Sequence, residues 1–77
     1  MKNNSFVKAK LIDILNIIDA RARVEIYISY EDGTNAILRG CLVYEILADT
    51  SFISNFANYN VIGITLDLYT KILIKED

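Results

Sequence analysis

A chain of 77 residues, 53% hydrophobic and 23% charged with a formal net charge of −2, has room for a single domain (1–77) and is too apolar to be intrinsically disordered. One cysteine, Cys41, and no histidine exclude an internal disulfide and a structural zinc site. The acidic balance weighs against general nucleic-acid binding, which needs a basic face to displace counterions.

Ser5 is placed to cap a helix, and Val7, Leu11, Ile14, Leu15 and Ile18 then recur at helical spacing. The pattern predicts an amphipathic helix over 6–18. Residues 23–30 alternate as a strand does. Val24, Ile26, Ile28 and Tyr30 face one way; Arg23, Glu25, Tyr27 and Ser29 face the other. Glu31, Asp32 and Gly33 form a turn, and a second strand is expected over 34–42. There Ala36, Leu38 and Leu42 point to the core, and Ile37, Arg39 and Cys41 point away.

Parity restricts the register of this hairpin. A two-residue turn pairs positions whose numbers sum to 65 and sets Arg39 beside Ile26. A three-residue loop gives sums of 64, with Ile26 opposite Leu38, Ile28 opposite Ala36, Glu25 opposite Arg39 and Arg23 opposite Cys41. It also puts Gly33 at a left-handed position, where glycine is favoured. The second register keeps the apolar residues together and pairs opposite charges, so it is the expected one.

Residues 43–47 read equally as a strand end or a helical turn. Asp49, Thr50 and Ser51 are capping residues, and Phe52, Ile53, Phe56 and Tyr59 predict a short helix to about residue 58. A second hairpin follows over 61–66 and 70–75, with Ile64 opposite Ile72 and Ile62 opposite Ile74. Helix, hairpin, short helix, hairpin is an α+β order, expected as a four-stranded antiparallel sheet; a small SH3-like barrel is the alternative.

The unpaired thiol of Cys41 suits a reducing, cytoplasmic compartment. Polar Asn3, Asn4 and Ser5 do not make a signal peptide, and the longest uncharged run, 50–66, holds three asparagines and is too polar to span a bilayer. Without histidine the commonest general base at neutral pH is missing, and the acids are scattered singly. Glu31 and Asp32 read as a solvated turn, with an acidic recognition loop as the alternative. Cys41, near Arg39 and Arg23, is the one candidate nucleophile and reads as a packed residue. Gly33, Gly40 and Gly63 form no phosphate loop; Gly40 and Gly63, inside strands, mark bulges or tight curvature. No cofactor or metal is implied.

Two surfaces stand out. Lys8, Lys10, Arg21, Arg23 and Arg39 would make a basic strip with Tyr27 available for stacking, if they share a face. The second face of the first hairpin sets Tyr27, Ile37 and Cys41 among Arg23, Glu25, Ser29 and Arg39, so either a helix or another protein lies over it. Val24, Ile26, Ile28, Leu38, Leu42, Ile62, Ile64, Ile72, Ile74 and the helix stripe suffice for a core. Tyr27, Ile37, Val43, Leu68, Tyr69 and Leu73 are left over and imply a partner, a second copy of the chain (a homodimer) or a host protein.

The stretches Val24-Glu25-Ile26-Tyr27, Asp32-Gly33, Arg39-Gly40, Asn60-Val61-Ile62-Gly63-Ile64 and Ile72-Leu73-Ile74 resemble those of small α+β proteins encoded in prophages and mobile elements of Firmicutes. The resemblance covers most of the chain and implies a bacterial host cell, but no activity and no catalytic residue. In size, acidity and lack of catalytic groups the chain is similar in type to anti-CRISPR proteins. The expected function is a non-enzymatic protein-binding module of phage or mobile-element origin, in its specific form an inhibitor of a host defence system. Tyr27, Glu31, Asp32, Ile37 and Arg39 are its candidate binding residues. A nucleic-acid-binding barrel or regulator is the alternative, and an enzyme using Cys41 is a third.

Overall fold

A computed structural model describes residues 9–76. Its elements are α1 (Leu11–Ile17), β1 (Arg23–Ser29), β2 (Asn35–Leu42), α2 (Val43–Leu47), α3 (Thr50–Phe56), β3 (Asn60–Leu66) and β4 (Thr70–Lys75). The expected start of the first helix, with Ser5 as its cap, lies outside the described residues. Residues 43–47 resolve as a helical turn.

The strands form one open sheet in the order β2-β1-β4-β3. Both hairpins are antiparallel, but the central pair, β1 with β4, is parallel. The expected wholly antiparallel sheet is therefore corrected to a mixed one, and the sheet does not close into a barrel. The cause is the α2–α3 segment. It leaves β2 at the Arg23 end and delivers the chain to β3 at the opposite end, so β3 runs in the direction of β2 and β4 returns in the direction of β1. A crossover that returns the chain to the far end of the sheet needs about a dozen residues or more, and residues 43–59 supply it between β2 and β3, which run parallel at opposite edges.

Two bulges alter the expected registers. Near the turn the first hairpin follows the sums of 64, with Ile28 opposite Ala36 and Tyr27 opposite Ile37. Tyr30 N–H donates to Thr34 C=O at 2.8 Å, and Gly33 has φ +89°, so the three-residue loop is present. Past Leu38 the register changes to sums of 65. Ile26 then faces Arg39, Glu25 faces Gly40 and Arg23 faces Leu42, in place of the expected partners. The extra residue reverses the alternation of the strand. Arg39 and Cys41 thereby move to the Val24–Ile26 side, and Leu42 moves off it. In the second hairpin Ile64 faces Ile72 as expected, but the strand shifts at Ile62, so Val61 faces Ile74. The bulges fall within two residues of Gly40 and Gly63.

All three helices cover the same face. Leu11 and Leu15 of α1, Val43 and Ile46 of α2 and Phe52 of α3 bury with Val24, Ile26, Ile28, Ile72 and Ile74. Val43, expected to be left over, is fully buried, while Ile62 and Ile64, expected in the core, are 50% and 47% exposed on the edge strand. The first turns of these short helices need acceptors, and the fold supplies them locally. Leu11 and Ile12 N–H donate to Tyr59 and Ala57 C=O at the end of α3. Val43 and Tyr44 N–H donate to Ala22 and Ala20 C=O before β1. Phe52 N–H donates to the Asp49 carboxylate at 3.1 Å.

Candidate interaction face

With every described helix on one side, the other side of the sheet is left open. Its central strands carry Arg23, Glu25, Tyr27 and Ser29 on β1 and Lys71, Leu73 and Lys75 on β4, with Tyr69 just before β4. β2 adds Ile37 and Gly40, and β3 adds Gly63 and Thr65. The choice between an internal helix and an outside partner is thus decided as far as the helices go: none of α1, α2 or α3 packs over Tyr27 and Ile37.

The face is ordered by its own contacts. Tyr27 donates its hydroxyl proton to Glu25 Oε1 at 2.8 Å. That bond to a carboxylate holds the phenol above its usual ionisation range. The Arg23 guanidinium lies 5.5 Å and the Lys71 ammonium 6.0 Å from the centroid of the Tyr69 ring. Gly40 presents no side chain, and Arg23, Glu25 and Ile37 gather within 3.5–3.9 Å of where its Cβ would stand. On the other flank a shallow depression of about 210 Å³ lies between Tyr27, Gly63, Thr65, Lys71 and Leu73. The result is an apolar ridge of Tyr27, Leu73 and Ile37 with a depression on the β3 flank. Three cations, Arg23, Lys71 and Lys75, stand there against the single carboxylate of Glu25, so the face is positive on a chain of net charge −2.

No family model, curated protein or solved structure matches the chain. The site therefore rests on its own chemistry.

Of the five candidate binding residues, the structure brings Tyr27 and Ile37 together as cross-strand neighbours on the open face. Glu31 and Asp32 sit at the exposed hairpin tip, where Asp32 Oδ1 accepts from Thr34 N at 2.9 Å and Thr34 Oγ1 at 2.7 Å. These bonds hold the Asp32 carboxyl below its ordinary range. Arg39 is not part of the face. It lies on the helix side, paired with Asp49, donating to Cys41 Sγ at 3.4 Å, with its guanidinium 5.6 Å from the Phe52 ring centroid. The expected basic strip is likewise divided, since Arg23 and Arg39 occupy opposite faces and Lys10 bonds Asn60 Oδ1 at 3.0 Å beside β3. Lys71, Leu73 and Tyr69 were missed as neighbours of Tyr27, because only the parallel pairing of β1 with β4 puts them there. Among the described residues no group of three or more His, Cys, Asp or Glu is arranged to hold a metal, and no helix is long and apolar enough to cross a membrane.

Proposed function

We propose that the chain is a non-enzymatic protein-binding module that docks through the open face of its sheet. The observation that carries this reading is the uncovered ridge of Tyr27, Leu73 and Ile37, bordered by Arg23, Lys71 and Lys75. Aromatic and aliphatic residues ringed by arginine and other polar groups make the centre of many protein interfaces. The excess of cations favours a partner with an acidic rim. An origin in a phage or mobile element, and inhibition of a host defence complex, is the specific form of this proposal; small size, acidity and the lack of a histidine support it.

The test is recovery of partners from bacterial host lysate with the wild-type chain, a Tyr27→Ala/Leu73→Ala variant of the open face, and a Ser54→Ala control on the helix side. A protein held by wild type and control but lost with the face variant supports the reading. A partner retained by all three chains overturns it.

A second reading is favoured by the two tyrosines and three cations that share the face: a platform for a single-stranded nucleic acid, with stacking on Tyr27 and Tyr69. It requires a gel shift of a labelled oligonucleotide that weakens steeply with salt and is lost in Lys71→Glu. No shift at low salt rejects it.

A further inference from the structure

Arg23 and Lys71 stand on the two central strands of the sheet, and β2 and β3 separate them from its edges. A carboxylate is at hand for both. Glu25 lies beside Lys71 in the parallel pairing and shares a face of β1 with Arg23. Neither cation takes it: Glu25 Oε1 accepts from the Tyr27 hydroxyl at 2.8 Å, and among the described residues neither Arg23 nor Lys71 pairs with an acid. Both turn to Tyr69, with the guanidinium 5.5 Å and the ammonium 6.0 Å from the ring centroid. A ring attracts a cation but offers no lone pair to its N–H groups, so the donors of both side chains stay unspent. Lys71 also lines the depression of about 210 Å³ that Tyr27, Gly63, Thr65 and Leu73 enclose. The pair of cations and the depression thus share a wall.

We infer that this corner of the open face receives a carboxylate of the partner protein, an Asp or Glu side chain held between Arg23 and Lys71, with a neighbouring apolar side chain seated in the depression. The inference rests on the protein-binding reading above and adds the chemistry of the segment that docks. Charge complementarity selects this occupant. Two cations gathered at one ring repel each other, and an anion between them turns that repulsion into attraction. The planar fork of Arg23 matches a carboxylate, and the Lys71 ammonium supplies further donors. A cavity of roughly 150 Å³ takes a benzene ring, so the depression takes one phenyl or aliphatic side chain. Arg23 and Lys71 therefore read the acid, and Tyr27, Gly63 and Leu73 read its apolar neighbour.

The test is a titration of the isotope-labelled full chain with an acetylated, amidated Glu-Leu-Glu-Phe peptide, followed by its amide NMR signals. The amides of Arg23, Tyr69, Lys71 and Leu73 shift, with a dissociation constant on the order of 1–5 mM for so short a fragment. A Gln-Leu-Gln-Phe peptide of the same shape binds about fivefold more weakly or worse, because the charge-assisted bonds are gone. Lys71→Gln, with unchanged circular dichroism, weakens the Glu peptide by a similar factor. Lys75→Gln removes the same charge about 13 Å farther along β4, beyond the screening length of roughly 10 Å at 0.1 M salt, and changes binding less than about twofold. Equal binding of the two peptides, no shift at all, or equal loss in the Lys71 and Lys75 variants overturns the inference. An oligothymidylate that moves the same amides at lower concentration than the peptide overturns it in favour of a nucleic acid, and self-association abolished by Lys71→Gln does so in favour of a second copy. A partner that is lost with Tyr27→Ala/Leu73→Ala but holds Lys71→Gln as tightly as wild type leaves the docking reading standing and overturns the carboxylate site alone.

Discussion

At the scale of single residues, Asp49 ties the start of α3 to β2. One carboxylate oxygen accepts from Phe52 N–H and caps α3; the other pairs with Arg39. These contacts, the backbone bond first and the guanidinium second, hold its carboxyl below the ordinary 3.8. The capping role was legible in the sequence, because Asp before a helical run is a common cap. The Arg39 partnership was not, because it depends on the bulge that turns Arg39 toward the helices. Asp49→Ala removes both roles and lowers the melting temperature by about 5 °C, whereas Asp49→Asn keeps a capping acceptor and loses less. The ionisation sets the pH dependence. The folded chain holds Asp49 and Asp32 below 3.8, so as pH falls the unfolded chain takes up their protons first. Their stabilisation is complete above about pH 5 and drains away as the pH drops through the unfolded value toward the folded ones. Thermal melts between pH 6 and pH 2.5 show this decline, and an Asp32→Asn/Asp49→Asn chain shows a flatter one.

At the scale of elements, the two hairpins illustrate how far a pattern of alternation reaches. The Glu31-Asp32-Gly33 loop was legible because its register sets the apolar residues near the turn opposite one another, with glycine at a left-handed position. Gly33, with φ +89°, has nothing within 4 Å of an added Cβ, so Gly33→Ala meets no clash and bears only the cost of the left-handed conformation. That cost is about 1–2 kcal/mol, read from urea unfolding, with Gly33→Asn falling between the two. The rest of the hairpin was half legible. Sums of 64 satisfy the residues near the turn, and sums of 65 hold beyond it. Each register alone violates part of β2, and one inserted residue, Leu38, reconciles them. Gly40 and Gly63, noticed inside strands, were the only signals of irregularity, and they lie close to the bulges without locating them.

At the scale of the whole molecule, the sheet is covered on one side only, and substitutions sort by side. Ile46 is fully buried between α2 and the sheet, whereas Ile37 is 54% exposed on the open face. Ile46→Ala costs about 2–5 kcal/mol, a large part of the roughly 4–12 kcal/mol that holds a domain of this length, while Ile37→Ala changes stability by about 0.5 kcal/mol or less. Urea midpoints measured side by side check the contrast. A large loss at Ile37 would mean that the open face is packed against something in the isolated chain. The same division explains the apolar residues left over after the core is filled. Val43 turned out to belong inside, and Ile62 and Ile64 took its place outside.

The sequence by itself determined the elements of β1 to β4, the three-residue loop, the cap at Asp49 and the α+β class, all of which follow from spacings within a few residues. It also marked Tyr27 and Ile37 as neighbours on a face that the core did not need. Only the tertiary structure decided the parallel pairing of β1 with β4, the side on which the helices pack, the removal of Arg39 from that face and the arrival of Lys71 and Leu73 upon it. The reason is physical: alternation fixes which residues share a face within one strand, but strand direction depends on the path of the α2–α3 crossover. A single bulged residue reverses the alternation without changing the composition.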